Sequence, residues 1–158
     1  MFRIGVISDT HGLLRPQAAA FLQGADHILH GGDIGREEIL HALAAIAPLT
    51  AIRGNVDTGE WAAAVPETRQ VVLAGLRVHL LHDRRNLDID PDAEDIDIVV
   101  SGHSHRPLVE HRDGVLYLNP GSAGPRRFKL PVSVAEVLVD RGSITPRVVE
   151  LSVDAPKR

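Results

Sequence analysis

Five times in this chain a short apolar run stops at a cluster of residues of metal-binding type. Residues 2–8 lead to Asp9-Thr10-His11-Gly12, 26–30 to Gly31-Gly32-Asp33, and 49–52 to Arg53-Gly54-Asn55-Val56-Asp57. Residues 76–81 end at His82-Asp83, and 96–100 at Ser101-Gly102-His103-Ser104-His105. Donors at i and i+2, as in Asp9/His11 and His103/His105, project to the same side of an extended or tightly turned backbone. Between the first three runs lie segments with apolar residues at helical spacing. One covers 15–23 and stops at Gly24; the other covers 36–47, with Glu37 and Glu38 where the helix dipole favours acids and Pro48 beyond. Strand, donor cluster, helix, repeated, predicts an α/β fold with largely parallel strands and a site at their carboxyl ends.

The later chain changes pattern. Residues 69–73 and 76–81 around Ala74-Gly75 predict a hairpin, and the alternation puts His79 on the face opposite Val78, Leu80 and His82. The acidic stretch 88–95 is expected to be solvated, with Pro91 starting a helix. A strand at 114–118 leads to Asn119-Pro120-Gly121-Ser122, and 132–139 with 144–153 close the chain as a second hairpin. His27, His41, His79 and His111 are not expected to be donors; His30 reads either as a strand-end residue or as an orienter of a neighbouring ligand, and Asp57 as an orienter of a neighbour.

Composition narrows the chemistry. Zero cysteines leave His, Asp, Asn and Glu to hold any metal, and such mixed nitrogen and oxygen donors suit Mn, Fe, Zn or Ni. Hydrophobic residues make up 44% and aromatics only 3%, so the core must be aliphatic and base-stacking surfaces are scarce. With 17 basic against 21 acidic residues and no run of either sign, no nucleic-acid partner is expected. The 158 residues suit one domain spanning 1–158. The opening apolar run is too short for a signal peptide or a bilayer span, so a soluble cytoplasmic protein without membrane attachment is expected.

Taken together, Asp9, His11, Asp33, Asn55, His82, His103 and His105 are too many donors for one tetrahedral ion and suit two ions sharing a bridge. Their motifs, Asp9-x-His11, Gly32-Asp33, Gly54-Asn55, His82 and Gly102-His103-x-His105, resemble in order those of the calcineurin-like metallophosphoesterases. The compact length and Asn119-Pro120-Gly121-Ser122 are most similar to the small bacterial and archaeal phosphodiesterase branch. The resemblance implies a four-layer α/β/β/α sandwich with two mixed sheets and a dinuclear site. It implies that Asp9, His11, Asp33 and His105 hold one ion, and Asp33, Asn55, His82 and His103 the other. Asp33, Asn55 and His103 are thereby the expected catalytic residues. Manganese is the first expectation for both ions, and a small phosphodiester the expected substrate. A homo-oligomer is compatible with the sequence.

Two departures stand out. Val56 follows Gly54-Asn55 where larger family members carry a histidine serving the leaving group, and Asp83 follows His82 where many relatives have glycine. Because the same branch includes the fold of the retromer scaffold subunit, a non-catalytic protein-binding module is the alternative.

Overall fold

The computed structural model describes residues 1–127 and 129–153. Ten strands form two mixed five-stranded sheets. The first contains β1 (Phe2–Ile7), β2 (His27–His30), β3 (Leu49–Ala51), β9 (Ser133–Asp140) and β10 (Ser143–Glu150), in the order β10-β9-β1-β2-β3. The second contains β4 (Thr68–Leu73), β5 (Leu76–Leu81), β6 (Ile98–Val100), β7 (Leu108–Arg112) and β8 (Val115–Asn119), in the order β4-β5-β6-β8-β7. In each sheet three neighbouring strands are parallel, β1-β2-β3 and β5-β6-β8, with antiparallel pairs outside them. The closing hairpin completes the first sheet, since β9 pairs antiparallel with β1.

Between the sheets Ile4, Val6 and Leu29 pack against Val78, Leu80, Ile98, Val100, Leu116 and Leu118. Each fully buried aliphatic side chain there contributes about 1.5–3 kcal/mol relative to exposure. The opposite face of the first sheet is covered by helix α1 (Pro16–Leu22), started by proline at its first position, and by α2 (Glu37–Ala44). Both helices are shorter than their apolar periodicity suggests, because the flanking residues close in turns.

The outer face of the second sheet carries Leu81, Val99, Val115 and Tyr117, covered by Leu87, Ile89 and Ile96. That cover contains a 3-10 turn at Arg84–Asn86 but no α-helix. The helix expected from Pro91 is a single turn: Ile96 N–H reaches Pro91 O, and Asp95 adopts φ 57°. Five acidic residues in 88–95 offer too little apolar surface to dock anything longer. Strand β7 went unrecognised in the sequence because it is an edge strand with exposed Val109, His111 and Arg112, which hides the usual alternation. Among the described residues no helix is long and apolar enough to cross a membrane.

Candidate metal centre

The turns leaving the carboxyl ends of five parallel strands, β1, β2, β3, β5 and β6, carry the predicted donors, and the end of β8 reaches the last of these turns through Asn119. These turns are unusually tight. Among the described residues nine non-glycine positions have positive φ, and five of them are Asp9, His11, Asp33, His103 and His105. Asp and His tolerate this left-handed region better than most side chains, but it still costs on the order of 1 kcal/mol per residue. Glycines let the turns approach each other. A Cβ on Gly54 would overlap Asp33 Oδ1, and one on Gly102 would meet Ser8 Oγ and Asp9 Oδ2.

Two groups of donors result. Asp9, His11 and His105 converge in one, and Asp33, His82 and His103 in the other. Each carboxylate is held by one oxygen and leaves the other toward the histidines. Asp9 Oδ2 accepts from Ser8 Oγ (2.7 Å) and from His103 N–H (3.2 Å), while Oδ1 faces His105 Nε2 at 3.4 Å and His11 Nε2 at 3.9 Å. Asp33 Oδ1 accepts from Val56 N–H (3.1 Å). Its Oδ2 lies 3.1 Å from His82 Nε2 and 3.6 Å from His11 Nε2, between the two groups. Although the His82–Asp33 approach is short, it lacks hydrogen-bond alignment. Asp9 Oδ1, His11 Nε2, His82 Nε2 and His105 Nδ1 are all buried without a hydrogen-bond partner among the described residues. Unpaired buried donors and acceptors cost several kcal/mol unless something satisfies them, and a cation pair would do so for Asp9 Oδ1, His11 Nε2 and His82 Nε2. Two divalent ions therefore fit the residues present.

The electrostatics agree. Burial would raise the Asp33 pKa, but His82, the Val56 N–H and His11 outweigh it and hold the carboxyl at about 2. Burial likewise disfavours the His82 imidazolium, yet Asp33, Gly31 O and Asp9 together carry its pKa above the ordinary value. His82 Nδ1 donates to Gly31 O at 2.7 Å, which fixes the tautomer and leaves Nε2 as the lone-pair nitrogen facing the carboxylates.

Three further polar residues bolt the turns together. His30 is fully buried; its Nδ1 accepts from Gly32 N–H (3.1 Å), so Nε2 carries the proton and meets Thr10 Oγ1 (3.0 Å). Burial pushes His30 down to about 4 despite the nearby Asp9, Asp57 and Asp33. Asp57 accepts from Ile34, Gly35 and Gly54 N–H groups at 2.8–3.0 Å, tying the Asp33 turn to the Asn55 turn. Asn119 Nδ2 donates to Gly102 O (3.0 Å) and so supports the His103–His105 turn. The sequence offers an orienting role for Asp57 and, beside a plain strand-end reading, for His30; the role of Asn119 is hidden in what reads as an ordinary turn.

Asn55 sits on an exposed turn. It lines a cleft of about 280 Å³ with Arg53, Glu67, Thr68, Asp83 and Asn86, and His82 and His103 form the end of that cleft. The remaining histidines lie elsewhere: His27 bonds Thr50, His41 is exposed beside Glu37, His79 is buried under the outer cover of the second sheet, and His111 is exposed on β7.

Residues 2–142 match the family model described as the calcineurin-like phosphoesterase superfamily domain. The chain belongs to that superfamily. A probable metallophosphoesterase from Methanothermobacter thermautotrophicus is 32% identical over 162 residues, covering 92% of this chain and 91% of that protein. Among solved structures, Vps29 from Chaetomium thermophilum superposes with a TM-score of 0.80 at 24% identity, covering 98% of this chain and 91% of that one. An archaeal phosphodiesterase superposes with a TM-score of 0.77 at 22% identity, over 94% and 100% of the two chains. At these identities the structural likenesses establish the fold, which agrees with the two-sheet α/β architecture expected from the sequence. Membership makes this chain a metallophosphoesterase by family.

Proposed function

We propose that this protein is a dinuclear metal-dependent phosphodiesterase that hydrolyses small phosphodiesters. The observation that carries the reading is the position of Asp33: its free oxygen lies within 3.6 Å of a histidine nitrogen from each donor group. In this reading Asp9, His11 and His105 hold one ion, His82, His103 and Asn55 the other, and Asp33 belongs to both. When bound, the two cations lower the pKa of water and offset the charge on the phosphoryl oxygens. Manganese is the first choice for both ions.

The chain's own contribution is order and exclusion. Ser8 and the His103 N–H hold the Asp9 carboxylate, Gly31 O holds the His82 ring, and Asn55 presents its amide at the mouth of the cleft. Val56 is exposed and offers no proton, so the leaving group must depart largely unassisted from this position. Manganese-loaded protein should therefore hydrolyse an aryl phosphodiester far faster than an alkyl one, with activity removed by a chelator and restored by added metal. Equal rates on both esters, or chelator-resistant turnover, would contradict the reading.

The alternative is a non-catalytic protein-binding scaffold, favoured by the close superposition on Vps29. Metal binding without turnover of any phosphodiester would favour it.

A further inference from the structure

Two residues at the mouth of the site belong to neither donor group. Asp83 follows His82 directly and grips Arg85 twice over. Its Oδ1 accepts from the Arg85 backbone N–H (3.0 Å) and from Nε (3.1 Å), and its Oδ2 accepts from Nη2 (2.8 Å). This fork holds the arginine, whose side chain stays 80% exposed, at the edge of the site, with Nη2 3.5 Å from His103 Nε2. Asp83 Oδ2 lies 3.6 Å from the same nitrogen. The neighbouring Asp83 and Asn86 line the cleft that ends at His82 and His103. The arginine that lines the cleft itself is committed elsewhere: Arg53 donates to Val65 O (2.9 Å) and to Glu67 (3.1 Å).

A guanidinium has five N–H donors in a rigid fork matched to phosphoryl oxygens, and the grip of Asp83 uses only part of that set. Pre-organisation by a carboxylate removes much of the side-chain entropy a free arginine would lose on binding an anion. A guanidinium stays protonated at working pH, so such a residue acts by charge and hydrogen bonding and cannot replace the acid missing at Val56.

We propose that Arg85, held in place by Asp83, is a substrate-binding residue that donates to a phosphoryl oxygen of an ester lodged at the His82–His103 end of the cleft. The inference rests on the phosphodiesterase reading and deepens it by assigning the site a preference for anionic phosphoesters over neutral esters.

The test uses the full chain loaded with manganese and the variants Arg85→Gln, Arg85→Lys and Asp83→Asn. Three quantities are measured: KM and kcat on an aryl phosphodiester, inhibition by inorganic phosphate, and manganese content per chain. Loss of a charge-assisted contact should raise KM and the phosphate inhibition constant roughly 10–100-fold in Arg85→Gln, with kcat and metal content little changed. Arg85→Lys should recover part of the loss, and Asp83→Asn should fall between. Unchanged KM and phosphate inhibition in Arg85→Gln would overturn the proposal. Parallel loss of manganese would also overturn it, because the pair would then act by supporting His103. Should the wild type turn over no phosphodiester, the phosphodiesterase reading fails by itself. Calorimetric titration with inorganic phosphate then still decides the role of Arg85: weaker binding to the Gln variant supports it, and equal binding overturns it.

Discussion

The two donor groups use the same residue types and differ in how they meet solvent. Asp9 and His105 are 0% and 2% exposed, and the His11 side chain that completes their group is 21% exposed. In the other group Asp33 and His82 are buried, but the His103 side chain is 38% exposed and stands at the end of the cleft. One group is thus built to hold, and the other is built to hold and also to be reached. Buried donors keep their geometry because packing leaves them no alternative, whereas in the more accessible group the His82 ring is fixed by its hydrogen bond to Gly31 O.

Removing the shared residue should do the most damage. Asp33→Asn should lower phosphodiester turnover on the order of 10³-fold and weaken both ions together, since electrostatic stabilisation of this kind is commonly the largest single contribution. If only one ion were lost, the sharing of Asp33 would be disproved. Next comes the asymmetry between groups. His105→Gln should weaken metal binding roughly 100-fold, and His103→Gln nearer tenfold because solvent can complete its coordination. Metal titrations showing the reverse order would break the distinction between the more buried and the more accessible group.

A third effect belongs to the scaffold beneath the Asp9 group. His30 is held at about 4 when folded against 6.5 ordinarily, so the unfolded chain takes up its proton first as pH falls. Its contribution is complete above pH 6.5 and is lost as pH falls toward about 4, a swing of about 3 kcal/mol. Urea unfolding of the metal-free protein should show this slope, and His30→Gln should flatten it. The smallest effect concerns the open group. Val56→His should speed alkyl phosphodiester cleavage by at least about tenfold while leaving aryl esters nearly unchanged, provided the new imidazole reaches the leaving oxygen. Equal gains on both esters would show that leaving-group protonation is not what the wild type lacks.

Much of the site was legible because each donor follows an apolar run, and a strand that must be buried fixes where its carboxyl end emerges. The parallel triplet β1-β2-β3 follows from the helices between its members, which only a crossover can accommodate. The edge strand β7 was not legible, since its exposed polar residues carry no burial signal. The turn at 91–95 was misleading for a related reason: a proline after an acidic run marks a helix start only where an apolar face follows. Arg85 was invisible in the sequence, because nothing in Asp83-Arg84-Arg85 distinguishes a clamped guanidinium from a solvated one. The left-handed backbone at Asp9, His11, Asp33, His103 and His105 could not be anticipated from residue type either, and it is what turns strand ends into a common site.

The most direct measurement is anomalous diffraction from crystals soaked in manganese. Two peaks should appear about 3.5–4 Å apart on either side of the Asp33 carboxylate. One should be ringed by Asp9, His11 and His105, the other by His82 and His103. A single peak, or none among these side chains, would contradict the account.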